Sequence, residues 1–160
     1  MCENNIDFKR IEFDHANEAE QREWLKRNKI APNRYEVLDI PRTDELKKKW
    51  RATFISGVKE KRHKCPFCSQ TVKRSFDWYA FSWKLVEAQE VDKDFLHEKL
   101  KDYNKDLYLL WEECCSHGLV MSSEIVRNCK WTNTDIYIFD NSFKWTFVAT
   151  HEELYYYKEI

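Results

Sequence analysis

The stretch from Asp135 to His151, Asp-Ile-Tyr-Ile-Phe-Asp-Asn-Ser-Phe-Lys-Trp-Thr-Phe-Val-Ala-Thr-His, restricts the fold more than any other part of this chain. Ile136, Tyr137, Ile138 and Phe139 are β-branched or aromatic, the types that fit a pleated, half-buried surface. Asp140, Asn141 and Ser142 accept turn geometry and can bond their own backbone. Trp145, Phe147 and Ala149 then alternate with Lys144, Thr146, Val148 and Thr150, a period of two with one apolar face and one mixed face. Two strands joined by a tight turn are expected. A hairpin alone is marginal in water, so other elements must cover its apolar face.

The rest of the chain supplies candidates for that cover. Residues 1–13 hold only Phe8, Ile11 and Phe13 as apolar anchors. A helix capped by Asp14 or Asn17 runs to about Asn28, docked by Trp24. Tyr35 to Ile40 reads as a strand ended by Pro41. Thr43 is a good N-cap, with Asp44 and Glu45 in the first turn. Leu46, Trp50, Phe54 and Val58 then form one helical stripe. Lys47, Lys48, Lys49 and Arg51 crowd the other sides, which reads as a solvated face. The aromatic run from Ser75 to Leu85 reads as a buried helix with Phe76, Ala80 and Trp83 in line, although strand is a competing assignment. Asp92 caps a helix bearing Phe95, Leu96, Leu100 and Tyr103.

Strands are expected at 106–112, 118–122, 135–140 and 143–150, with Ile125–Val126 as an extension of the second. Helices first and strands afterwards make an α+β domain. The expected fold is an antiparallel sheet of about four strands in the C-terminal half. Amphipathic helices from the N-terminal half cover one face of it, and Trp50, Phe54, Phe76, Trp83 and Leu100 pack on it. Residues 1–160 read as a single domain, with a helical N-terminal extension at 1–34 and a core at 35–153.

Composition excludes several functions. Two glycines and three prolines leave no material for linkers or a Gly-rich phosphate loop. The formal net charge of −1 predicts no avid binding to nucleic acid or membrane by global charge. No apolar run approaches the roughly 20 residues that span a bilayer. The N-terminus lacks the basic and apolar regions of a signal peptide, so a cytoplasmic, reducing location is expected. There the six cysteines serve as thiols or metal ligands in preference to disulfides.

Charge is nevertheless uneven. The loop 59–74 carries Lys59, Lys61, Arg62, Lys64, Lys73 and Arg74 against Glu60 alone, which leaves the remainder of the chain at −6. Within it, Cys65 and Cys68 have the spacing of a zinc knuckle, and the neighbouring cations favour thiolate. A closed tetrahedral site needs two more ligands. Cys114, Cys115 and His117 are the candidates, with His63 as a local one. Structural zinc, plain thiols and redox chemistry all stay open for this pair. His151, beside Glu152 and facing Asp140 across the turn, has the chemistry of a general base. Its plainer reading is a strand-end histidine bonded to backbone.

The runs Phe76-Asp-Trp-Tyr-Ala-Phe-Ser-Trp, Leu107-Tyr-Leu-Leu-Trp and Ile136-Tyr-Ile-Phe-Asp-x-Ser-Phe-x-Trp-Thr-Phe-x-x-Thr-His-Glu152 resemble a bacterial family filed as domain of unknown function 4275. The likeness covers roughly residues 36–153. It implies a cytosolic protein of a bacterium or phage and supplies no activity. The chain departs from the family pattern in carrying Cys65-Pro-Phe-Cys68, and in ending Leu154-Tyr-Tyr-Tyr where the pattern has a Gly-Pro-aromatic tail.

The leading expectation is a non-enzymatic interaction protein that binds and neutralises another protein, as an immunity or conflict-system factor does. Small size, aromatic richness and a −6 remainder able to face a basic partner support it. The alternative is association with nucleic acid through the basic knuckle, with Lys59, Lys61, Arg62, Lys64, Lys73 and Arg74 on phosphates. A weaker alternative is a hydrolase pairing Cys114 or Cys115 with His117 or His151.

Overall fold

The computed structural model describes residues 21–58, 76–112 and 116–160 in full, and residues 62–64 and 71–73 by their backbone. In chain order the elements are a helix over residues 21–27 (α1), a 3-10 turn Pro32–Arg34, β1 (Tyr35–Val37), α2 (Ile40–Phe54), β2 (Arg62–Lys64), β3 (Thr71–Lys73) and α3 (Tyr79–Ser82). They continue as β4 (Gln89–Val91), α4 (Phe95–Lys99), β5 (Asp106–Trp111), β6 (Leu119–Ser122), α5 (Ser123–Arg127), β7 (Ile136–Phe139), β8 (Trp145–Ala149) and β9 (Tyr155–Glu159).

The expected hairpin is β7–β8, with Ile138 opposite Phe147 and Ile136 opposite Ala149. Its turn is built as the residue types demand. The Asp140 carboxylate accepts from the Ser142 backbone N–H at 2.9 Å, and the Phe143 N–H donates to the Asp140 carbonyl at 3.2 Å. The hairpin sits inside a seven-stranded antiparallel sheet of order β1-β6-β5-β7-β8-β9-β4. The expected four strands are all present. Of the other three, β1 lies within the strand expected at Tyr35–Ile40, cut short because Ile40 and Pro41 open α2, whereas the short edge strand β4 and the tyrosine strand β9, which takes up the C-terminal run, were not expected. A second, two-stranded sheet pairs β2 with β3, Arg62 opposite Lys73 and Lys64 opposite Thr71.

Helices cover both faces of the main sheet, not one. Trp24, Leu25, Leu96, Leu100 and Val126 lie on one face, against Leu107, Leu109, Ile136, Ile138, Phe147 and Tyr157. On the other, Leu46, Trp50, Phe54, Trp78 and Phe81 lie against Leu110, Tyr137, Phe139, Val148 and Tyr156. Burying each such large side chain is worth about 1.5–3 kcal/mol. Two-sided cover explains why every residue of β7 and β8 is buried. The mixed face of β8 is therefore interior as well. Its Thr146 is satisfied there, because Trp50 Nε1 donates to Thr146 Oγ1 at 2.9 Å and that hydroxyl donates to the Ile138 carbonyl at 3.0 Å.

Three local expectations change. α2 starts one turn before Thr43, on Asp39, whose carboxylate accepts from the Arg42 N–H at 2.7 Å, and Pro41 sits inside the helix start, where it loses no hydrogen bond. Thr43 instead bonds the Asp39 carbonyl and accepts from the Gly118 N–H. α3 is a single turn, and the chain leaves it through Lys84 at φ +54°, so the stripe ends before Trp83 and that ring is 62% exposed. Ile125–Val126 belongs to α5 and not to a strand, which lets Val126 point into the core below the sheet. No helix among the described residues is long and apolar enough to cross a membrane.

Candidate functional site

The single turn of α3 carries a ridge of stacked rings. Trp83 lies almost parallel to Tyr79 at 4.6 Å between centroids. Tyr79 meets Phe76 edge-on at 5.5 Å and Trp78 at 4.4 Å. The ridge ends on His151, whose ring stands edge-on to Phe76 at 5.7 Å and to Trp78 at 5.6 Å. Such offset and edge geometries suit the ring quadrupoles and add to area burial. Exposure falls along the ridge from Trp83 to the fully buried Trp78 and rises again at His151, which is exposed.

His151 is held by Asp135 and not by Asp140. Its Nδ1 lies 2.9 Å from Asp135 Oδ2, and its backbone N–H donates to Oδ1 at 2.8 Å. A carboxylate only accepts, so Nδ1 carries the proton and Nε2 is left as the outward atom. Asp140 lies at the far end of β7, where Ser142 and Tyr103 donate to it. The expected strand-end histidine is thus present, bonded to a carboxylate at the other end of the hairpin from the turn.

Beneath the ridge lies a polar recess lined by Lys47, Trp50, Arg51, Asp77, Leu110, Trp111, Glu112 and Tyr137, with room for about one water molecule. Its side chains form a chain of bonds. Arg51 Nε pairs with Asp77 Oδ2 at 2.9 Å. The Asp77 backbone N–H donates to Glu112 Oε1 at 2.6 Å. The Tyr137 hydroxyl donates to Glu112 Oε2 and accepts from the Trp78 N–H at 3.0 Å. Burial, then the neighbouring Glu112 and Asp77 charges, push the Tyr137 phenol well above its usual value, so it keeps its proton as a donor. Lys47 Nζ reaches Ser116 Oγ at 3.2 Å. Two of the four α2 cations read as solvated, Lys47 and Arg51, therefore line this recess. The recess pins the Phe76-Asp-Trp-Tyr segment to α2, β5 and β7, which orients the ridge.

Of the metal candidates, Cys65, Cys68, Cys114 and Cys115 lie outside the described residues, and His63 is described by its backbone alone. His117 is described, and its Nδ1 lies 2.7 Å from the Leu38 carbonyl, which only accepts. Nδ1 is thus protonated and Nε2 is the atom available for ligation, the arrangement that metal-bound histidines commonly have. Among the described residues no group of three or more His, Cys, Asp or Glu gathers as a metal site. Of the basic set, Lys59, Lys61 and Arg74 lie outside the described residues. Arg62, Lys64 and Lys73 are placed by their backbone in the paired strands β2 and β3.

Sequence reasoning missed Asp77, Glu112, Asp135 and Tyr137 as a polar set. One signal was present: each member lies within or directly beside one of the three stretches that carry the family resemblance. Phe76-Asp-Trp-Tyr supplies Asp77 and Trp78, Ile136-Tyr supplies Tyr137, and Glu112 directly follows Leu107-Tyr-Leu-Leu-Trp. Comparisons with curated proteins and with solved structures returned no match. A family model does match, over residues 25–157, from α1 through the tyrosines of β9. The chain belongs to that family, described as a domain of unknown function, DUF4275.

Proposed function

We propose that this protein is a non-enzymatic interaction protein of a bacterium or phage, which binds and neutralises another protein in the manner of an immunity or conflict-system factor. The observation that carries this reading is the surface end of the ridge. Trp83 at 62% and Leu85 at 56% exposure sit two residues apart, with Trp83 rigidified by its stack on Tyr79. An exposed tryptophan backed by a second ring is the kind of anchor that protein interfaces use. The recess beneath has space for about one water, which favours a structural role for its charges over the binding of a substrate. The test is co-purification from the native host of wild type and a Trp83→Ser, Leu85→Ser double variant. Both residues are exposed, so the variant keeps its stability within about 0.5 kcal/mol. One stoichiometric protein partner held by wild type and lost by the variant is expected. Equal recovery with both proteins, or no partner at all, overturns the reading.

A second reading, nucleic-acid association through a basic zinc knuckle, is favoured by one feature of the small sheet. Its register sets Arg62 opposite Lys73, and like charges directly opposite each other weaken a hairpin. In this reading one structural zinc is held by Cys65, Cys68 and two of Cys114, Cys115 and His117. Metal analysis of protein purified without chelator should find close to one equivalent, and Cys65→Ser should lower the melting temperature. Nucleic-acid binding should weaken steeply with salt. Absence of both effects removes this reading.

A further inference from the structure

Among the described residues the main sheet ends on one side at β1, whose sole neighbour is β6. The Leu38 N–H donates to the Gly118 carbonyl at 2.9 Å, so the backbone of Leu38 faces β6. Alternation along the strand turns Glu36 the same way and aims the N–H and C=O of Tyr35 and Val37 at the open edge. Val37 is 54% exposed there, whereas β4, at the opposite edge, carries no exposed large hydrophobic residue. An open edge with an apolar side chain is a template for one more strand.

The chain itself brings a candidate to this edge. Residues 1–20 lie outside the described residues, and the described fold begins at Gln21, whose Nε2 donates to the His117 carbonyl at 2.8 Å. His117 is bonded in turn to the Leu38 carbonyl at 2.7 Å, so the N-terminal segment joins the fold at the C-terminal end of β1. We propose that the segment around Arg10-Ile11-Glu12-Phe13 pairs with the open edge of β1, parallel to it. The connection from Phe13 to Gln21 reaches up to roughly 28 Å, and the three residues of β1 cover only about 10 Å, so the whole edge is within its span. Parallel strands need a long crossover, usually helical. Residues 14–34 supply it, because they include α1, packed through Trp24 and Leu25 on one face of the sheet. Charge selects the register. With Ile11 beside Val37, Arg10 falls beside the exposed Glu36, whereas Phe13 beside Val37 would set Glu12 there, and like charges side by side weaken a strand pair. Tethering gives the segment an effective concentration of about a millimolar, an advantage that a second copy or a separate partner lacks.

The test is amide hydrogen exchange of the full chain, followed residue by residue by nuclear magnetic resonance. In this register the Val37 N–H donates to the Arg10 carbonyl and the Glu12 N–H donates to the Val37 carbonyl. The Val37 amide should therefore exchange at least about tenfold more slowly than a solvent-exposed amide, at a rate independent of protein concentration. Nuclear Overhauser contacts should join Ile11 to Val37. Glu12→Pro removes one donor of the ladder and should return Val37 to the exposed rate, and Arg10→Glu should speed its exchange by about threefold. The amides of Leu109 and Ile138, in the middle of the sheet, should stay as protected as in wild type, which shows that both variants remain folded. Exposed-rate exchange at Val37 in the wild-type chain, protection untouched by Glu12→Pro, Overhauser contacts from Val37 to a different segment, or protection that rises with protein concentration, as a second copy on this edge would give, each overturns the proposal.

Discussion

Replacing Tyr137 by phenylalanine removes one oxygen and should cost far more than its size suggests. That hydroxyl donates to Glu112 and accepts from the Trp78 N–H at 3.0 Å, at a position only 3% exposed. The variant therefore leaves a buried backbone donor without its acceptor and takes a donor from a carboxylate. An orphaned buried group costs about 1–3 kcal/mol, and a hydrogen bond to a charged group contributes about 1.5–3 kcal/mol. These overlap in one network, so a combined loss of about 2–4 kcal/mol is expected. For a chain of this length that corresponds to a fall of roughly 5–15 °C in melting temperature. The wild-type phenol also links stability to pH. Its folded value is raised above the unfolded value of about 10, so its contribution is complete below pH 10 and is lost as pH rises toward the folded value. Tyr103, pushed up to about 12 by burial and by its bond to Asp140, loses its contribution in the same window and in the same direction. Urea unfolding of wild type and variant at pH 7 and pH 11 measures both effects. A Tyr137→Phe loss below about 0.5 kcal/mol at pH 7, or an equal alkaline loss in the two proteins, would refute the reasoning.

Three further outcomes are expected. Gly118→Ala should destabilise by about 1–3 kcal/mol in chemical denaturation, because its Cβ would meet Leu110 Cδ2 at 2.7 Å and Leu38 Cδ1 at 3.3 Å inside the core. Asp39→Ala should cost about 1 kcal/mol by removing the cap on α2, and Asp39→Ser should recover most of it in the same assay. Burial alone would raise the Asp140 carboxyl, but hydrogen bonds from Ser142 and Tyr103 outweigh it and hold the group below its usual value. Its contribution is therefore present above about pH 4 and lost as pH falls through the lower folded value, so wild type should lose more stability than Asp140→Asn between about pH 5 and pH 2.

The parts of the fold legible in the sequence were those with a strong period. β5, β7 and β8 alternate or run apolar for long enough to be read, and Leu46, Trp50 and Phe54 mark the α2 stripe directly. β1 was read too long, over Tyr35–Ile40, because nothing local marks Asp39, and not Thr43, as the start of α2; β4 has three residues, too few for a period, and β9 is a tyrosine run whose alternation is invisible because both faces take the same residue. The α2 start was misplaced because Asp39 and Thr43 are both good caps, and only the tertiary bond from Gly118 to Thr43 decides between them. The site was less legible than the fold. Lys47 and Arg51 look like any cations on an amphipathic helix until Ser116 and Asp77, distant in sequence, are brought against them.

The recess and the ridge share residues, yet their roles separate. Trp78 is the joint: its amide is held by Tyr137, its ring supports Tyr79 and His151, and Tyr79 in turn supports Trp83. A change in the recess should therefore appear first as lost stability, and reach the ridge only through loosening of the Phe76-Asp-Trp-Tyr segment. A change at Trp83 removes a side chain that little else rests on, so it should appear as lost affinity with stability intact. Measured side by side on the same partner, Tyr137→Phe should weaken binding modestly and in proportion to its stability loss, whereas Trp83→Ala should weaken it strongly at unchanged melting temperature. The reverse pattern, with affinity tracking the recess and indifferent to Trp83, would move the binding surface away from α3 and toward the charged groups beneath it.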